Sequence, residues 1–379
     1  MSKIIKRLFS LDLPKDKTAF LWGPRKTGKT YWIKQHLGDT KLIDLLKTDA
    51  FAEYASRPAL LRERFRDYRG RIIIDEVQKI PAILDEVHWL IENSSASFLL
   101  TGSSARKLKR GHANLLGGRA WRRIMTPLSS LEVDRFDLED IMVSGLLPPH
   151  YLSRNPIEDL RAYIADYLKE EIAAEALTRN IPAFSQFLKV AALTSSELLN
   201  YTNVAADTGV SARVVRTYFD ILEDTYLGFR VAPWVKSKNR RMIETEKFYL
   251  FDVGVTNYLA QRQPKKGTFE FGKSFEQYIL MELMTYKAYK QPDLEITFWR
   301  TAANQEVDFI LNNKMTAIEI KSGQVHPHDL KGLLALSEDG AVKNKIVVSL
   351  EKERRVVQNG IQILPYQIFL EKLWEGVLV

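Results

Sequence analysis

The stretch TAFLWGPRKTGKTYWIKQHL, Thr18 to Leu37, decides the fold. It opens with an apolar run that closes on Gly23, the composition of a strand buried on both faces. It ends in the helix-like KTYWIKQHL. Between them GPRKTGKT, Gly23 to Thr30, fits G-x-x-x-x-G-K-[ST] in full. A loop of Gly23, Pro24, Arg25, Lys26, Thr27 and Gly28 can turn its backbone N–H groups toward a phosphate. Lys29 can then reach the β- and γ-phosphates, and Thr30 can ligate Mg²⁺. ATP with Mg²⁺ is the expected ligand.

Outward from the loop, TKLIDLL (Thr40–Leu46), RIIIDEV (Arg71–Val77) and ASFLLTG (Ala96–Gly102) are further apolar runs, separated by helix-like segments such as PAILDEVHWLIENS. Strand alternating with helix predicts an α/β domain on a parallel, doubly wound sheet. RAWRRIMTPLSSLEV supplies a fifth strand, and the domain ends near residue 150. Asp75, closing its strand, presents a carboxylate toward Mg²⁺, and Glu76 is placed to polarise an attacking water. An Asp-Glu pair after a strand is otherwise a common helix cap; beside a phosphate loop it reads as catalytic. Thr101, Ser103 and Ser104 carry hydroxyls suited to sensing the γ-phosphate, and are equally good turn residues.

The chain has 379 residues, enough for two or three domains, with 45% hydrophobic and 27% charged residues. It has no cysteine, which excludes disulfides, thiolate catalysis and cysteine-ligated zinc. The N-terminus has no sustained apolar run of a signal peptide, and no segment approaches the roughly 18 apolar residues needed to span a bilayer. A soluble, cytoplasmic protein without a membrane partner is expected. A net charge of +8 favours a polyanionic partner. Two basic runs stand out: Arg106, Lys107, Lys109, Arg110, Arg119, Arg122 and Arg123, and then KSKNRR, Lys236 to Arg241. Each is either a nucleic-acid footprint or a solvated surface.

From about Asn155 the pattern becomes helical. DTGVSARVVRTYFDIL has a helix–turn–helix form, with Gly209 at the turn and Ser211 capping a helix that carries Arg213 and Arg216. A winged helix is expected, serving either DNA contact or protein–protein contact. Three domains follow: residues 1–150, 151–240 and 241–379. In the last, EVDFIL and MTAIEIK flank a turn-forming NNK. Alternation puts Ile318 and Ile320 on one face and Glu319 and Lys321 on the other, and the hairpin brings Asp308 close to Glu319. Two neighbouring carboxylates repel unless a proton or divalent cation lies between them, so Mg²⁺ is expected there too. The spacing D-(x10)-E-x-K resembles the PD-(D/E)-x-K nuclease superfamily, which implies a mixed α/β restriction-endonuclease-like domain. Glu276 matches that superfamily's additional helical acid, Lys321 its catalytic lysine, and Val307 stands where proline is usual. Asp252 reads as the N-cap of VGVTNYL.

LWGPRKTGKT, IIIDEVQKIP, FLLTGSSARKL and LLGGRAWRR resemble the AAA-type ATPase domain of a large prokaryotic family that joins it to a C-terminal domain of unknown function. The likeness extends into the second half through DYLKEEI, KFYLFDVGV and FWRTAANQEVDFIL. It implies a sheet whose sensor strand lies between the phosphate-loop and Asp75 strands. It also makes Arg119 a candidate arginine finger, which leaves a homo-oligomer through the ATPase domain open. Two readings result. In one, ATP hydrolysis controls a nucleic-acid-binding, Mg²⁺-dependent nuclease half that acts on DNA or RNA. In the other, the nuclease-like domain is inactive and docks DNA or protein in a defence or toxin-regulation switch.

Overall fold

The computed structural model describes residues 4–106, 108, 116–134, 136–168, 180–235, 240–340 and 342–379. The first sheet is built from β1 (Thr18–Trp22), β2 (Lys41–Asp44), β3 (Gly70–Asp75), β4 (Ala96–Thr101) and β5 (Ala120–Ile124). Its order is β2-β3-β4-β1-β5 and every pairing is parallel. The strand carrying Thr101 therefore lies between the strands that end at the phosphate loop and at Asp75, as the family resemblance implies. β1 and β4 are buried along their whole length, and Phe20, Ile72 and Phe98 pack in one core. β2 was expected to be covered on both faces, but it is an edge strand with Leu42 exposed.

The second sheet runs β13-β14-β12-β11-β10-β9-β7-β8-β6. Its strands are β6 (Glu197–Leu198), β7 (Gly228–Pro233), β8 (Lys247–Leu250), β9 (Ile296–Arg300), β10 (Glu306–Leu311), β11 (Thr316–Lys321), β12 (Asn344–Ser349), β13 (Arg355–Val356) and β14 (Gln362–Pro365). At one end, helix Ile181–Leu193, β6, helices Tyr201–Thr208 and Ala212–Asp224, then β7 and β8 follow in chain order. Gly209 closes the second of these helices in the left-handed region, and the Ser211 hydroxyl accepts the Val214 N–H to start the third. β7 pairs with β8 on one side and with β9 on the other, through Ala232↔Thr297 and Pro233↔Phe298. The expected boundary near residue 240 thus falls within the β7–β8 connection.

Helix Phe269–Tyr289 packs Phe275, Ile279 and Leu283 into the largest core, against Phe309 and Ile318. On the opposite face, helix Lys331–Glu338 rides tightly on β10. A Cβ on Gly332 would lie 1.8 Å from the Glu306 carbonyl oxygen, so only glycine permits this approach. Asp252 caps helix Val253–Leu259 by accepting the Val255 N–H, as its sequence position suggests. DYLKEEI extends beyond residue 168 and there, with Lys107, Lys109, Arg110, Lys236 and Lys238, lies outside the described residues. Among the described residues, no helix is long and apolar enough to cross a membrane.

Candidate functional site

The phosphate loop turns on Gly28, whose φ of 95° places it in the left-handed region as the N-cap of helix Lys29–His36. Lys29 is buried inside the loop, and its ammonium donates to the Gly23 and Pro24 carbonyls at 2.7 and 2.9 Å. The Thr27 hydroxyl donates to the Pro24 carbonyl at 2.9 Å. Arg25 is half-buried and Lys26 exposed, the latter's ammonium standing 5.1 Å from the Tyr163 ring centre.

Adjacent strand ends bring the polar residues together below the loop. Asp75, fully buried, accepts the Thr30 hydroxyl on Oδ2 at 2.8 Å and the Thr101 hydroxyl on Oδ1. Glu76 leaves β3 with a φ of 59°, and its carboxylate accepts the Gln78 amide, which also reaches Ser103 Oγ at 3.2 Å. Burial pushes the Glu76 pKa up, Lys29 opposes the rise and Asp75 adds to it. The set fits Mg²⁺-ATP by its chemistry: a hydroxyl already paired with a carboxylate, a buried ammonium on the loop, and a second carboxylate beside them. Ser104 Oγ accepts the Arg106 backbone N–H at 3.3 Å, a turn role.

Two residues near the loop carry no local sequence signal. Arg7 donates to the Thr27 carbonyl, to Thr126 O at 2.8 Å, to Glu132 at 2.8 Å and to the Tyr289 hydroxyl at 2.9 Å. His150 is fully buried 5.2 Å from the Tyr163 ring, with neither ring nitrogen hydrogen-bonded among the described residues. Arg7 lies in a short basic segment that offers no further pattern, and only a histidine inside the apolar GLLPPHYL could have drawn notice.

Three arginines of the basic runs are paired within the chain. Arg106 is buried against Asp224 at 2.8 Å. Arg119 is exposed and pairs with Glu92 at 2.7 Å. Arg240 bonds the Ala335 carbonyl at 2.8 Å and Asp339 at 3.0 Å. Arg213 and Arg216 are exposed on their helix, Arg216 lying 4.9 Å from the Tyr201 ring.

The late hairpin forms a second site. β10 and β11 are antiparallel with Phe309 opposite Ile318, so Asp308 falls opposite Glu319. Both open onto a cleft of about 1200 Å³ that Glu276, Lys321 and Lys247 also line. Ile318 and Ile320 face the core, as alternation predicts. Asp308 Oδ2 accepts the Ile320 N–H at 2.7 Å, and Glu319 Oε1 accepts the Lys321 ammonium at 2.7 Å. Glu319 Oε2 is buried without a hydrogen-bond partner among the described residues. Burial holds the Asp308 pKa well above the carboxylate range, reinforced by the Glu319 charge, and pushes Glu319 up to about 7. Lys321 is raised: burial opposes its charge, but Glu319 and Asp308 outweigh that.

Glu276 is engaged differently. It accepts the Tyr249 hydroxyl at 2.6 Å and the Lys247 ammonium at 3.3 Å. Lys247 also lies 2.5 Å from Glu306 Oε1. Among the described residues no three acidic or histidine side chains are grouped so that they could hold one metal ion. The orphaned Glu319 oxygen beside Asp308 suits a cation; Glu276, already bonded twice, does not in this arrangement.

Three family models match in series: an AAA domain over residues 15–133, and two described as domains of unknown function, DUF8612 over 135–266 and DUF4143 over 271–369. An uncharacterized protein of Methanocaldococcus jannaschii is 21% identical over 344 residues, 82% of this chain and 75% of that protein. Among solved structures, the Aeropyrum pernix ORC1 protein in complex with DNA is 14% identical over 65% of this chain and 87% of its own, at a TM-score of 0.24. A signal transduction ATPase with a tetratricopeptide repeat sensor from Pyrococcus horikoshii is 12% identical over 73% of this chain and 45% of its own, at 0.22. At those scores neither structure carries an argument. The AAA match and the five-stranded parallel sheet fall on the same first part of this chain and together support an AAA-type ATPase fold there.

Proposed function

We propose that this chain hydrolyses ATP and couples its nucleotide state to a nucleic-acid-binding C-terminal half with a nuclease-like centre. One observation carries the first part: Asp75 receives the Thr30 and Thr101 hydroxyls on its two oxygens while Glu76 stands beside them, held by Gln78. Thr30 and Asp75 would hold Mg²⁺, which supplies charge neutralisation at the transferring phosphoryl group. Lys29 positions the β- and γ-phosphates by exchanging its carbonyl partners for phosphate oxygens. Glu76 takes the proton of the attacking water, and its raised pKa makes it a better base. Thr101 and Ser103 read the γ-phosphate side of the pocket. Arg119 would act as a finger only in a neighbouring copy, since in its own chain it faces Glu92.

For the C-terminal half, the order helix, strand, two helices, two strands, with β8 between β6 and β7, supports a winged-helix reading. Its exposed Arg213 and Arg216 suit phosphate contact. Asp308, Glu319 and Lys321 on adjacent strands, with Glu276 on the helix behind them, support the nuclease-like reading of residues 241–379. The second reading, an inactive nuclease-like domain used for docking, draws its support from Lys247 lying among the carboxylates.

The test is ATP turnover in Lys29→Ala alongside nicking of supercoiled DNA in Mg²⁺ and Mn²⁺ by wild type, Asp308→Ala and Lys321→Ala. Turnover should vanish in Lys29→Ala, and retained turnover would remove the nucleotide-site assignment. Nicking that both cleft variants lose supports a nuclease. DNA and RNA left intact in both metals would favour the docking reading instead.

A further inference from the structure

Lys247 is a buried cation to which the sequence reading assigns no role. It is the first residue of β8, its side chain is 3% exposed, and β8 is held on both sides by β6 and β7. Its ammonium lies 2.5 Å from Glu306, 3.3 Å from Glu276 and 5.3 Å from the Phe298 ring centre. Arg300 holds the other Glu306 oxygen at 3.2 Å. An ammonium loses most of its hydration at such depth, so it remains there only because carboxylates replace the water. Burial works against the charge, yet Glu276, Tyr249, Asp308 and Glu306 hold the Lys247 pKa well above the ordinary lysine range.

The same carboxylates are those a divalent ion would need. With Lys247 between Glu276 and Glu306, and Lys321 on Glu319, negative charge in the cleft is balanced by the chain's own cations, and among the described residues three ligands do not converge. A divalent ion entering beside Asp308 meets an ammonium already bonded to Glu276. Like charges a few ångströms apart in a partly dry cleft repel strongly.

We infer that Lys247 is a tethered counter-ion that competes with a divalent cation for the Glu276–Asp308–Glu319 cleft, so that the ion binds tightly only when the lysine is withdrawn from Glu276. The inference rests on the nuclease-like reading of this cleft and adds a specific control over it. Because Lys247 belongs to a strand that is hydrogen-bonded to β7, any shift of the helical module against the last sheet would move the ammonium.

Mn²⁺ binding to the full chain, measured by titration calorimetry and by thermal unfolding with and without the ion, tests it. The comparison is wild type, Lys247→Met, Lys247→Arg and Lys247→Met/Asp308→Asn, with the Asp308-dependent site as the readout, which separates it from the phosphate-loop site. Lys247→Met should bind one Mn²⁺ at least tenfold more tightly than wild type and gain thermal stability from it. Lys247→Arg should stay weak, and the double variant should lose the site. Should Lys247→Met fail to fold, Lys247→Gln, which removes the charge but keeps a donor for Glu276 and Glu306, should tighten binding at least threefold. Equal, Asp308-dependent binding in wild type and Lys247→Met would overturn the competition while leaving the metal centre standing. No Asp308-dependent ion in any variant would overturn both.

Discussion

The Tyr289 hydroxyl lies 2.9 Å from an Arg7 guanidinium nitrogen across 282 positions of sequence. Arg7 in turn holds the Thr27 carbonyl of the phosphate loop and the buried Glu132. Tyr289 ends the helix that carries Glu276, about 20 Å away at 1.5 Å per residue. One guanidinium thus ties the nucleotide loop to the helix that backs the acidic cleft. Arg7→Met takes the cation from buried Glu132, which keeps the Leu8 and Ser129 donors, and should lower unfolding free energy by about 3 kcal/mol in urea titration. Tyr289→Phe removes one neutral donor and acceptor and should lose about 1 kcal/mol.

Glu76→Gln keeps the size and the Ser103 and Gln78 neighbours of the side chain but cannot take a proton. Steady-state phosphate release should fall by about 10²–10⁴-fold while ATP affinity, read by fluorescent-nucleotide displacement, stays within a few-fold. An equal loss of affinity and turnover would assign Glu76 to binding instead.

His150 is buried beside Lys26, and burial followed by that positive charge pulls its pKa from 6.5 to about 4, against the weak opposition of Asp159. A base with a depressed folded pKa contributes stability that is present above its unfolded pKa and lost as pH falls through the folded value. Wild type should therefore lose about 2 kcal/mol more than His150→Phe between pH 7 and pH 4 in urea titrations. Parallel pH profiles for the two proteins would show that the ring is accessible to water.

Gly332→Ala forces a methyl against the Glu306 carbonyl. The helix must lift from β10, which carries Asp308, at a cost of about 1–3 kcal/mol. Thermal unfolding should report that loss, and an unchanged midpoint would mean that the helix is free to shift.

The nucleotide site was legible because its parts sit at strand ends with short local patterns. Gly23 to Thr30, Asp75, Glu76 and Thr101 meet simply because β1, β3 and β4 are neighbours in a parallel sheet. The Asp308–Glu319 pairing was legible for a similar reason, since a hairpin fixes its own register. Arg7 and Lys247 were not. Arg7 lies in a segment that reads only as basic, and its partners are 20 to 282 positions away. Lys247 opens KFYLFDVG, where a lysine heading a wholly apolar strand was the available hint, but Glu306 lies 59 positions further on in a different hairpin. Composition likewise counts the Arg106 charge without seeing that Asp224 neutralises it.

The placement of β7 between β8 and β9 bears on how the chain can be dissected. A fragment ending near residue 240 would strip that strand of both hydrogen-bonding neighbours and leave two raw edges, a template for self-association. Cutting at the connection that seems natural in the sequence would yield an adhesive piece rather than a working module, and the last two thirds of the protein must be expressed as one.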